Sequence, residues 1–173
     1  MKINNFKRFV MTTMVVILIF SAVAYAITDT YTFTHCGLDN EWTDCNSAKT
    51  DDVVYASGSE NAANDTGRWL NFGMSNVTNN ITNVTIIADN FGSSTDAYMG
   101  FQASWDHDLS YGPSKYAGWI VNEQRSYLDI TDQTSWTATK LSNPEFRIKV
   151  ICYTVSGPIT CNLEWLAVRV IYS

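Results

Sequence analysis

Histidine is nearly absent: His35 and His107 are the only two in 173 residues. With no GxSxG elbow and no HExxH pair either, the chain lacks the usual marks of nucleophilic or metal-dependent hydrolysis. Its 17 acids supply many carboxylate pairs, but no spacing singles one out as a glycosidase dyad. No catalytic residue, cofactor or metal ligand is therefore expected. Basic residues are scarce too, 11 Lys and Arg against 17 Asp and Glu, for a net charge of −6. So acidic a chain is a poor match for nucleic acid or anionic lipid, which are gripped by clustered cations. Helical stripes are also missing, since no segment of ten or more residues repeats its apolar positions at helical spacing.

What is present begins at the N-terminus. Lys2, Lys7 and Arg8 precede an apolar run from Val10 to Phe20, and Ala24-Tyr25-Ala26 supplies small residues where a signal peptidase reads. That order predicts a secretory leader, a signal-peptide helix over residues 1–26, cut after Ala26. An uncleaved anchor would need about 20 apolar residues, and Thr12, Thr13, Ser21 and Tyr25 soften the stretch available. A pilin-like leader fits poorly because Phe9, not a small residue, follows Arg8. Membrane contact is then confined to the leader, and the product is extracellular or at the cell surface. The leader's three cations leave 8 bases against 17 acids, net −9, in residues 27–173. That length suits one domain able to bury roughly 70% of its unfolded surface.

All four cysteines follow the leader, as Cys36/Cys45 and Cys152/Cys161. Equal spacing favours two local disulfides, each worth roughly 2.5–3 kcal/mol in the chain-entropy model. Zinc would want CxxC-type spacing, which is missing.

Strands dominate the rest. Ile27, Tyr31 and Phe33 alternate with threonines, with Asp29 out of pattern. Leu70, Phe72 and Met74 alternate around Asn71 and Gly73. Val84, Ile86 and Ala88 oppose Asn83, Thr85 and Ile87, and Met99, Phe101, Ala103 and Trp105 oppose Gly100, Gln102 and Ser104. Phe146, Ile148, Val150 and Cys152 face away from Arg147 and Lys149. After Ser156-Gly157-Pro158, Leu166, Val168, Val170 and Tyr172 return, which reads as a closing β-hairpin with Cys152 opposite Cys161. The intervals 46–67 and 106–126 read as loops. Strands without intervening helices imply an all-β, antiparallel β-sandwich.

The Leu-Asn-Phe-Gly segment, the Val-Thr-Ile-Ile strand, the Ser-Trp-Thr turn and the closing Glu-Trp-Leu-Ala-Val-Arg-Val-Ile-Tyr strand lie within residues 68–172. Together they resemble jelly-roll-like β-sandwich domains of secreted, cell-surface and virion-associated proteins. The resemblance implies a structural or adhesive role with no inherited active site.

Several candidate sites compete with plainer readings. Asn64, Asn76, Asn80 and Asn83 each open a glycosylation sequon, and Asn83 falls on the outward face. Asp106-His107-Asp108-Leu109-Ser110 places oxygens at alternate residues, as a calcium loop begins, but its glycine is displaced and no bidentate Glu follows; a solvated Asx turn is expected. Among the tryptophans, Trp105 shares a core face. Trp42, in the Cys36–Cys45 loop, and Trp119, in a loop with Tyr111 and Tyr116, are the exposed candidates for stacking on sugar rings.

The leading expectation is a secreted, non-enzymatic structural or surface protein. Residues 27–34 form a strand at the new N-terminus that can complete its own sheet or self-associate by adding to a neighbour's edge, building a filament or coat. The alternative is a carbohydrate-binding module that holds glycan on Trp42, Trp119 and Tyr116.

Overall fold

Period-two alternation becomes, in a computed structural model, ten strands among the described residues, with two short 3₁₀ turns, Cys45–Lys49 and Thr131–Gln133, and one α-helical turn, Ala138–Leu141. The structure describes residues 26–37, 41–52, 54–60, 66–78, 80–93, 97–119, 122–142, 145–154 and 158–173. The leader helix, Asn64 and the Ser156-Gly157 turn lie outside them. The strands are β1 (Ile27–Thr32), β2 (His35–Cys36), β3 (Ala56–Glu60), β4 (Thr66–Leu70), β5 (Ile81–Gly92), β6 (Ala97–Ser104), β7 (Lys115–Trp119), β8 (Gln124–Asp129), β9 (Arg147–Thr154) and β10 (Ile159–Tyr172). No described helix is long and apolar enough to cross a membrane.

The strands form two five-stranded antiparallel sheets. One runs β1-β10-β5-β8, with β3 also on β10; the other runs β2-β4-β9-β6-β7. β1 pairs with the last stretch of β10, Ile27 opposite Tyr172, while β3 pairs with Ile159–Leu163 along the same edge. The N-terminal strand thus completes its own chain's sheet. The sheets pack face to face as the expected antiparallel sandwich. Val84, Ile86, Ala88, Leu166, Val168 and Val170 of the first meet Met99, Phe101, Ile148 and Val150 of the second, all fully buried. Phe33 crosses between layers, its ring edge-on to Trp69 at 6.2 Å and to Phe72 at 6.3 Å.

Three local expectations are corrected. β9 and β10 are not a hairpin: they lie in opposite sheets. Period two shows which side of a strand is buried, and that side is the same whether the next strand lies beside it or faces it across the core. The strand expected over Leu70–Met74 ends at Leu70, because Asn71 (φ 59°) and Gly73 (φ 70°) turn the backbone, although Phe72 and Met74 stay buried. The supposed loops hold β3, the start of β4, β7 and the start of β8. β3 escaped notice because Ala-Ser-Gly-Ser-Glu has no bulky alternation. Its Gly58 lies so close under Trp42 that a Cβ there would sit 2.6 Å from the ring.

Both local disulfides form, with Cα atoms 6.3 Å apart for Cys36–Cys45 and 5.8 Å for Cys152–Cys161. The second ties β9 to β10 and so staples the two layers.

Candidate functional site

The outer face of the second sheet collects the chain's most chemically distinctive surface groups. Since β6 and β9 bury Met99, Phe101, Ile148, Val150 and Cys152, alternation turns Tyr98, Gly100, Gln102, Lys149, Ile151 and Tyr153 outward. Register sets Tyr98 beside Tyr153, Gly100 beside Ile151 and Gln102 beside Lys149. Across the next strand pair, Gly100 meets Tyr116. The Tyr98 and Tyr153 rings stack at 4.9 Å and 9°. Tyr116 leans on both, at 5.7 Å and 5.9 Å, and is 54% exposed. A Cβ on Gly100 would lie 2.6 Å from the Tyr153 ring and 3.2 Å from that of Tyr116. The tyrosines therefore fold over bare backbone, as strand glycines permit. Burial, then the neighbouring Tyr116, pushes the Tyr153 phenol above its ordinary range.

One row along the strands the face turns cationic. Arg68, Lys149 and Gln102 form a row across β4, β9 and β6. Arg147 lies at the next outward position on β9. Asp108 binds Arg68 at 3.3 Å and also Arg147, and accepts the Tyr111 hydroxyl on its other oxygen. Burial and then Asp108 raise the Tyr111 phenol well above its usual range. The Lys149 ammonium sits 5.6 Å from the Tyr111 ring centroid. Beyond Arg68 and Arg147 the face opens into a cavity of about 380 Å³ shared with His35 and Asn71.

The loop weighed for calcium supports this cationic end. His107 (φ 60°) and Asp108 (φ 68°) are left-handed and swing Asp108 back onto the sheet. Asp106 accepts from Ser104 Oγ at 3.0 Å and Ser110 N at 2.9 Å. The Ser110 hydroxyl and amide hold its carboxyl below the usual range. The turn is closed by its own hydrogen bonds.

Of the three aromatic candidates, only Tyr116 is seen in an exposed cluster. Trp119 is paired with Tyr98 at the same end of the sheet; its side chain is outside the described residues. The exposed Trp42 is corrected: it is 4% exposed and packs edge-on against Trp69 at 5.5 Å. The Thr43–Ser57 bridge pulls its loop onto β3, and Gly58 leaves room for the indole. Tyr98 and Tyr153 were missed, although they extend the outward series Gly100, Gln102 and Arg147, Lys149. Among the sequons, Asn76 and Asn80 are exposed. Asn83 is engaged, its amide donating to Thr131 Oγ1 at 3.0 Å and its oxygen accepting from Thr85 Oγ1 at 2.7 Å.

A second cluster lies on the outer face of the first sheet. Carboxylate oxygens of Asp51, Asp89 and Glu164 come within 4.8 Å of one another. Arg125 lies among them, its Nε donating to both Asp89 oxygens at 2.9 and 3.0 Å, a terminal nitrogen donating to Asp89 and to Asp51, the latter at 2.6 Å, and the guanidinium lying 4.8 Å over Trp165. A hydrogen bond to Glu164 raises the Glu123 carboxyl, and burial adds to the rise. This guanidinium already supplies the positive charge that the carboxylates call for.

No family model matches the chain, and no curated protein matches it. Among solved structures it is similar to a CBM4 structure (11% identity, TM-score 0.47, covering 82% of this chain and 92% of that one). It is also similar to a CBM36-1 domain of a multidomain xylanase from the hindgut metagenome of Trinervitermes trinervoides (6%, 0.41, 83% and 96%). A family two carbohydrate esterase from Cellvibrio japonicus is 12% identical at a TM-score of 0.38, the match covering 86% of this chain but 35% of that one. A functional reading of this chain rests on its own residues.

Proposed function

We propose that this protein is a secreted, non-catalytic β-sandwich that binds carbohydrate on the outer face of its second sheet. Residues 1–26 direct export and are removed, and residues 27–173 are the working domain. Two disulfides suit an oxidising compartment. The observation that carries the reading is the Tyr98–Tyr116–Tyr153 cluster over Gly100. Tyrosine rings offer flat apolar faces to the C–H surfaces of pyranoses while their hydroxyls stay polar. Gln102 and Lys149, one row away, supply a planar amide and an ammonium for sugar hydroxyls. A few placed polar groups beside an apolar platform is the general plan of small-ligand sites.

The test is binding of immobilised polysaccharides by the protein and by Tyr116→Ala and Tyr98→Ala. Tyr116 is 54% exposed, so its variant stays folded. Affinity should fall about 5- to 10-fold for each lost ring. Prolonged incubation should release no new reducing ends. Absence of binding across the panel, or binding indifferent to Tyr116, would overturn the reading.

A further inference from the structure

The binding face is charged against the grain of the molecule. After residue 26 the chain holds 8 bases and 17 acids, yet Arg68, Arg147 and Lys149 all gather on this one face. Among the described residues, Asp108 opposes Arg68 and Arg147. At the margin Glu41 is occupied by Thr66, whose backbone amide donates to it at 2.7 Å. Among the described residues no carboxylate comes within ion-pair distance of Lys149, which rests over Tyr111. The buried Arg147 Nε has no acceptor among them either. A neutral ligand covering this end would take water from the Lys149 ammonium and return hydroxyl contacts without a countercharge.

We propose that the ligand is an acidic oligosaccharide, its anionic groups at the Arg68–Arg147–Lys149 end and its sugar rings at the tyrosines. The inference rests on the carbohydrate reading above and names the class of glycan. Guanidinium groups match the paired oxygens of carboxylate or sulfate, and the cavity bounded by Arg68, Arg147, His35 and Asn71, about 380 Å³, has room for such a group. His35 Nδ1 is engaged by Thr34 Oγ1 at 2.8 Å and the Asn71 amide at 3.1 Å, which leaves Nε2 as the ring's other polar atom. Four residues of strand separate Lys149 from Tyr153, about 13 Å at strand rise. One short oligosaccharide can therefore touch both ends.

Calorimetry with polygalacturonate, dextran sulfate and uncharged dextran and xylan tests this. The acidic probes should bind at least about tenfold more tightly than the neutral ones, and that advantage should shrink as salt rises. Whichever acidic probe binds better tells carboxylate from sulfate. Arg68→Gln should remove most of the acidic preference while sparing neutral binding, Lys149→Gln should weaken acidic binding more than neutral binding, and Lys149→Glu should reverse the preference. Circular dichroism confirms that each variant is folded. Neutral glycans bound as tightly as acidic ones, with Lys149→Glu silent, would overturn the acidic inference and leave the carbohydrate reading standing. No binding to any probe would end both. Dextran sulfate bound without need of Tyr116 would mark mere charge attraction and also overturn the inference.

Discussion

At Asp29 a single carboxylate breaks an otherwise alternating strand, and its surroundings explain why. Asp29 accepts the Tyr31 hydroxyl at 3.0 Å and the Tyr172 hydroxyl at 2.7 Å, so it pins β1 to the end of β10. Burial and this carboxylate push Tyr31 far above the ordinary phenol range. Glu123 shows the opposite logic, an acid placed beside another acid. Its hydrogen bond to Glu164 favours the protonated form and raises its pKa. A carboxyl raised on folding contributes stability below its unfolded pKa and loses it as pH rises through the folded value. Glu123→Gln should therefore gain stability relative to the native protein as pH rises past the ordinary carboxylate range, read as a rising difference in urea midpoint. A flat difference would show that the two carboxyls do not share a proton. The residues proposed to bind glycan were partly legible in the same way. Tyr116 could be picked out by its polar loop, and Tyr98 and Tyr153 by extending alternation, but Trp42 could not. Nothing in its own neighbourhood, rich in Asp and Glu, announces that Gly58 of a distant strand makes room for it.

The strands themselves were legible where large apolar residues alternate, as in β5, β6, β9 and β10, and illegible where the chain is small and polar, as in β3. Their partners were not legible, because burial side carries no information about lateral neighbours. The Cys152–Cys161 bridge makes this concrete. It was expected to brace a hairpin and instead joins the two layers, with both cysteines fully buried. Its sequence separation, 9, equals that of Cys36–Cys45. The chain-entropy contribution of the two is therefore the same, about 2.5–3 kcal/mol. Any difference between them reports the folded state. Replacing Cys152 and Cys161 with alanine also leaves a cavity between the sheets, so it should cost about 1–2 kcal/mol more than the same change at Cys36 and Cys45. Denaturant unfolding of the two double variants measures this directly, and equal losses would mean that the staple adds nothing beyond loop closure.

Over the whole molecule, β1 decides between an independent domain and an assembling one. A strand at a chain's beginning can be donated to a neighbour, but here it has a full antiparallel register on β10 from Ile27–Tyr172 to Thr32–Ala167. The residue that follows it is more decisive. Phe33 is 1% exposed and lies against Trp69 and Phe72 in the shared core. Burial of such a ring is worth about 2–3 kcal/mol. Donating the strand would empty that site in the donor until another copy refilled it, so exchange would have to pass through an opened core. The chain starting at Ile27 should therefore run as a monomer in size exclusion at micromolar concentration. Deleting residues 27–34 should lower stability by at least about 3 kcal/mol through lost pairing and the Phe33 cavity. It should also bare the β10 edge and drive association of the truncated chain. A synthetic peptide of residues 27–34 added in trans should reverse both effects, whereas the same peptide with Phe33→Ala should rescue poorly. Stable polymers of the intact chain that disappear on truncation would show the opposite: that this strand works between copies, with Phe33 as the plug one molecule sets into the next.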